Sequence, residues 1–286
     1  MKHYLTQATL IGLSAFLLAA CTSETPVDGD RQDKKDLVVS AEIVSSVTGS
    51  KAVGAPANSY DKRSFVNDDP IRIIIGDVYK IYKKKDAQWL PESESLTVDG
   101  TSKTITAVYP DDFSTILADQ ADGDANTGAN FMKSNKLMSE ITTASNYVKF
   151  KFAPVFTKIT ITVAYKSDSK RKNVTATLAG NDLCTNDNSS KTIKMLRTSS
   201  NADALMNHAF TCILNPGTQR GFALTVSGFT NNGSPAENET YIQAAKEFKP
   251  GYNYIYNFSS NDNLILNSVT VEPFGEGGTS DVGSAT

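Results

Sequence analysis

The stretch Val148-Lys149-Phe150-Lys151-Phe152-Ala153-Pro154-Val155-Phe156-Thr157-Lys158-Ile159-Thr160-Ile161-Thr162-Val163-Ala164-Tyr165 decides the fold class. Val148, Phe150 and Phe152 alternate with Lys149 and Lys151, and Pro154 breaks the run. Ile159, Ile161, Val163 and Tyr165 then alternate with Thr160, Thr162 and Ala164. A helix with one buried face repeats its apolar residues every three or four positions. A strand sends successive side chains to opposite faces, so a buried face and a wetted face give period two. The stretch therefore reads as two strands.

The same period runs outward in both directions. Upstream it is carried by Leu37, Val39, Ala41 and Ile43, by Ile71, Ile73 and Ile75, and by Ile105, Ala107 and Tyr109. Downstream it continues through Val174, Ala176 and Leu178, through Phe210, Cys212 and Leu214, and through Phe222, Leu224 and Val226. Tyr252, Tyr254, Tyr256 and Phe258 form one stripe, which the spacing assigns to core packing in preference to a sugar-binding surface. In the last run, Leu264 and Leu266 fall out of parity with Val269 and Val271, which predicts a β-bulge between them. Turn residues punctuate the runs at Asp68-Asp69-Pro70, Asp99-Gly100, Gly180-Asn181-Asp182, Asn215-Pro216-Gly217 and Pro250-Gly251. Many short alternating strands of this kind make an all-β protein of antiparallel sandwich or barrel type. Only Ala202–His208 and Tyr241–Phe248 carry a helical signal. The polar segment Asp111–Asn146 reads as the end of a first domain, giving β domains over 37–146 and 147–278 with a flexible tail over 279–286.

The N-terminal residues read as an export signal. Lys2 gives the positive start, Ile11, Leu13, Phe16 and Leu17 a short apolar run, and Leu18-Ala19-Ala20-Cys21 a lipobox-like end. The run is too short for a permanent membrane helix. The expectation is a cleaved lipoprotein signal peptide over 1–20, with Cys21 acylated and anchored in outer-membrane lipid. Residues 21–36 then serve as a flexible tether, since eight of the fifteen residues in Thr22–Asp36 are charged and Val27 is their only large apolar residue.

The composition, 40% hydrophobic and 21% charged, supplies a core for one large or two ordinary domains. A net charge of −3 gives no footprint for nucleic acid. Cys184 and Cys212 remain as an even pair, to be read either as a disulfide in an oxidising compartment or as two small buried hydrophobes. Catalytic signals are poor. Beyond the export signal the chain keeps one histidine, His208, and it lacks the Gly-x-Ser-x-Gly, His-Glu-x-x-His and phosphate-loop motifs. Ser167-Asp168-Ser169-Lys170 reads as a turn, and Lys83-Lys84-Lys85 as a solvated hairpin tip. Asp122, Asp124 and Asn126 have calcium-loop spacing, but the glycine falls at 128 and Lys133 stands where a bidentate glutamate is needed. No metal, cofactor or enzymatic activity is expected.

Several motifs share an order. Phe65 precedes Gly76-Asp77 and Val78-Tyr79-Lys80-Ile81-Tyr82, and Trp89 follows. Tyr109-Pro110, Leu117-Ala118-Asp119-Gln120 and Phe131-Met132 come next. Then stand the 148–161 run, Pro250-Gly251-Tyr252-Asn253-Tyr254 and a closing strand. From Cys21 to about Gly278 the chain resembles the fimbrillin-like lipoproteins of anaerobic Gram-negative bacteria. The resemblance implies two tandem transthyretin-like β-sandwich domains and a subunit of a surface fimbrium that acts in adhesion. It also implies assembly by strand exchange: a protease cuts after a basic residue in the loop behind the first strand, that strand leaves, and a strand of the next subunit fills the groove. Here the departing strand would be Leu37–Val44, and Lys51, Lys62 and Arg63 are the candidate cut sites, with Lys51 nearest the expected place. Residues 275–286 hold four glycines and one valine, which cannot supply a buried strand face. The chain is therefore expected to accept a strand from other fimbrial subunits without donating one, as a tip or accessory subunit. The alternative is a non-polymerising surface lipoprotein that binds a glycan or protein ligand on a host or bacterial surface.

Overall fold

The computed structural model describes residues 33–44, 61–122, 128–166, 171–199, 206–230 and 232–274. The export signal, Cys21, Lys51, Ser167–Lys170 and residues 275–286 lie outside them. The described part is almost wholly strand. The first half carries β1 (Lys35–Asp36), β2 (Val38–Ile43), β3 (Pro70–Ile75), β4 (Val78–Lys85), β5 (Gln88–Pro91), β6 (Thr97–Val98), β7 (Lys103–Tyr109), α1 (Ala129–Ser134), β8 (Leu137–Thr143) and β9 (Tyr147–Pro154). The second half carries β10 (Thr157–Tyr165), β11 (Arg171–Asn181), β12 (Ser190–Lys194), β13 (Leu196–Arg197), β14 (Asn207–Leu214), β15 (Gly217–Thr230), β16 (Glu239–Phe248), β17 (Tyr252–Ser260) and β18 (Leu264–Pro273).

In the first half, seven strands pair in the order β2-β9-β8-β7-β3-β4-β5. β8 meets β9 only at Leu137 with Pro154 and Met138 with Ala153, so the sheet turns a corner there and β2 comes back near β5. Ile71, Ile73, Tyr82, Ile105, Phe150 and Phe152 fill the space between the limbs. Phe65 holds the centre, with Trp89, Tyr109 and Phe152 edge-on to it at 5.1, 5.5 and 5.2 Å. Such edge-to-face contacts place the positive ring edge on the negative face of the neighbour.

In the second half, a five-stranded sheet (β13-β14-β10-β17-β18) faces a four-stranded one (β12-β11-β15-β16), with the alternating residues of both in one core. Tyr254, Tyr256 and Phe258 are buried in it, as their spacing predicts. The parity slip in the last run is a register shift between β17 and β18: Asn257 pairs with Ser268 and Phe258 with Leu266, leaving Asn267 without a ladder partner.

The structure differs from the sequence reading at four places. Two pairings are parallel, β2 with β9 and β10 with β17, because these strands are far apart in the chain and join by crossovers, not hairpins. Tyr241–Phe248 is strand, not helix: pairing with β15 places Tyr241 against the core and overrides local helical preference. The short helix falls at Ala129–Ser134 instead. Lys35 and Asp36, read as tether, pair with Val98 and Thr97. β9, assigned by the sequence reading to the second domain, pairs with β2 and contributes Val148, Phe150 and Phe152 to the first core.

The polar segment before β8 is no simple linker. Ile116 and Phe131 belong to the second core, so the chain visits that core between β7 and β8 and then returns. Gln120 fixes the visit. Its side chain accepts from the Ile213 N–H and donates to the Ile213 carbonyl, both at 2.8 Å, and so acts as one more residue of strand beside β14. The adjoining backbone bonds to Lys194 on β12.

Candidate functional site

β2 lies at the end of the seven-strand order and is paired along one side only, by β9. The reason is in its sequence. Leu37, Val39, Ile43 and Val44 are buried and Ala41 packs against the same core, while Val38 and Ser40 face solvent. The Leu37 N–H bonds to the Leu96 carbonyl at 2.8 Å, and the Val44 N–H to the Phe152 carbonyl at 2.8 Å, so both ends are pinned. On the outer face the Glu42 carboxylate meets Lys149 Nζ at 3.0 Å, and Lys151 is the register partner of Glu42.

The chain re-enters at Asp61, which is buried and accepts two bonds from Lys158 Nζ, at 2.7 and 2.9 Å. Lys158 is on β10, so this pair joins the approach to the first core to the first strand of the second. The ammonium of Lys158 lies over Phe131 and Phe274, whose ring centroids are 5.9 and 5.1 Å from Nζ. Phe274 closes β18 by bonding its N–H to the Gly251 carbonyl. Asp61 and Phe274 therefore meet at one ammonium group.

The candidate cut sites are placed unequally. Lys62 is engaged: Nζ bonds to Asp69 at 2.7 Å and stands 5.3 Å over the Tyr109 ring, with the side chain only 16% exposed. Asp69 is itself fixed by the Val66 N–H at 2.6 Å. Arg63 is half-buried. Cys184 and Cys212 are both buried in the second core as free thiols. Burial raises the pKa of each, and Cys184 pushes Cys212 further in the same direction. His208 is fully buried, with Nδ1 2.8 Å from the Arg197 guanidinium and its ring against Tyr165. No cluster of metal-ligating side chains occurs among the described residues. Lys83 pairs with Glu92, and Lys85 with Asp68, at the expected hairpin tip. Neither Gln120 nor the Asp61–Lys158 pair was readable as a functional contact in the sequence. Gln120 stood only inside the Leu117–Gln120 motif.

With this geometry in view, the comparison with known families is decisive. The fimbrillin-like family model matches residues 64–273, from just after Arg63 to the end of β18. The chain belongs to the fimbrillin-like family. Its members are fimbrial-type structural proteins of the cell surface, not enzymes. Two crystal structures share this fold. One is a protein assigned to cell adhesion from Bacteroides ovatus, at 16% identity and a TM-score of 0.58, covering 84% of this chain and 98% of that one. The other, from Bacteroides uniformis, has the same assignment, at 15% identity and a TM-score of 0.57, covering 84% and 99%. None of the curated proteins matches the chain.

Proposed function

We propose that this fimbrillin-like chain is a tip or accessory subunit of a fimbrium, exported as a lipoprotein through Cys21, that accepts a strand from a neighbouring subunit in place of β2. The carrying observation is the edge position of β2, held by one ladder yet supplying, with its flanking residues Leu37 and Val44, four buried apolar side chains. Stripping Leu37, Val39, Ile43 and Val44 from the core would cost roughly 6–12 kcal/mol at about 1.5–3 kcal/mol each. That is comparable with the whole stability of a domain, about 5–15 kcal/mol. A chain that lost β2 would therefore be driven to take up another strand, which supplies the same backbone bonds and apolar contacts.

The anchoring of Lys62 favours Lys51 as the cut site, since a protease must draw the basic side chain out into its own pocket. The tip or accessory placement rests on the composition of residues 275–286. N-terminal sequencing of the protein released from cells tests the reading. A start at Ala52 is expected. Assembled fimbriae in which every copy keeps a lipidated Cys21 terminus would show that β2 stays in place and would rule out strand exchange.

A further inference from the structure

Resting on strand exchange at β2, we infer that the groove selects its incoming strand by a two-sided chemical pattern, of which β2 is the template. On the inner side the pattern is large at 37, 39 and 43 and small at 41. Ala41 packs partly buried against the same core as the register neighbour of Phe150, which is fully buried, so a larger side chain at 41 is expected to crowd that ring. On the outer side the pattern is an acid at 42. Lys149 and Lys151 alternate along the outer face of β9, both exposed, and Glu42 lies beside both. Take β2 away and this face keeps two cations one side-chain spacing apart. An incoming strand running parallel to β9 in the same register meets them with its residue at position 42. A carboxylate there is attracted, and an ammonium is repelled by both lysines. The partner is thus a strand of another subunit reading large-x-large-x-small-acid-large, and not any alternating apolar segment.

The outer-face preference is solvent-exposed, so it is modest and sensitive to salt. The inner-face preference depends on packing and is not. This difference gives the test. A site for a specific protease is introduced within residues 45–60 of the full chain, the chain is nicked, and a labelled peptide of residues 36–45 is exchanged against the resident strand. The native peptide is expected to enter. The Glu42→Lys peptide is expected to bind about fivefold more weakly at low ionic strength, with the gap closing at high salt. Lys149→Glu with Lys151→Glu in the chain should reverse that order. The Ala41→Phe peptide should bind at least roughly tenfold more weakly at any salt concentration. Equal binding of all three peptides, whatever the salt, would overturn the pattern and leave strand exchange standing. Failure of even the native peptide to enter the nicked chain would sink strand exchange itself, and the pattern with it.

Discussion

Asp61 and Lys158 form a buried ion pair that ties the approach to the first core to the opening strand of the second, with Nζ 2.7 and 2.9 Å from the two carboxylate oxygens. Their side chains are only 10% and 9% exposed. Two charges this far from water are costly to bury and costlier to separate.

The first prediction follows from that asymmetry. Asp61→Ala or Lys158→Met alone leaves a buried charge without its main counter-ion and should destabilise the protein by about 3–5 kcal/mol. Replacing both with apolar residues of similar volume should recover much of the loss. Urea unfolding of the two single variants and the double variant measures this. A double variant no better than the worse single would show that the pair is not energetically coupled.

A second prediction concerns proteolysis. Lys62 is held by Asp69 and Tyr109, so brief trypsin treatment of the folded chain should leave the bond after Lys62 intact. Asp69→Ala frees the Lys62 ammonium and should expose the bond after Lys62. Mass spectrometry of the fragments reads both results. Early cleavage at Lys62 in the unaltered protein would contradict the anchoring.

Gln120 supplies a third. Gln120→Ala removes both partners of the Ile213 peptide groups, and Ile213 is fully buried. An unsatisfied buried peptide group costs about 1–3 kcal/mol, so a loss of roughly 2–5 kcal/mol is expected. Gln120→Glu keeps the acceptor for the Ile213 N–H but buries a carboxylate against the Ile213 carbonyl, so it should destabilise at least as much as alanine. Hydrogen exchange at the Ile213 amide should quicken sharply in both variants.

Alkaline stability supplies the fourth. Burial raises the pKa of Cys212 above its ordinary 9.0, and of Tyr109, Tyr165 and Tyr256 above 10.0. The folded chain therefore holds these protons more tightly than the unfolded chain. Their contribution is fully present below about pH 9 and is lost as pH rises, by up to about 1.4 kcal/mol per pH unit for each group ionised only in the unfolded state. Denaturation midpoints at pH 8, 9.5 and 11 should fall in that order. The same burial should keep both thiols unreactive to alkylation at pH 8 until the chain unfolds.

The motif residues now have physical roles. Phe65, Trp89 and Tyr109 were legible as single aromatic positions, but they form one contact set around Phe65 that includes Phe152, which the sequence placed in a different domain. Pro250-Gly251 was legible as a turn. Its role in tying Phe156 to Phe274 was not, because those backbone bonds join residues far apart in the chain. Lys62 and Arg63 were legible as basic loop residues, yet Lys62 is held by Asp69 and stands over the Tyr109 ring, and neither partner could be read from residue type.

The sequence by itself determined most of the strands and their buried faces, most of the turns, the bulge near Asn267 and the fimbrillin-like character, because alternation and turn chemistry are local. Only the tertiary structure decided that β2 runs parallel to β9, that β9 belongs to the first core, that the 111–136 segment crosses to the second core and back, and that Asp61 meets Lys158. These are pairings between distant parts of the chain. Period two states which side of a strand is buried; it does not state which neighbour buries it.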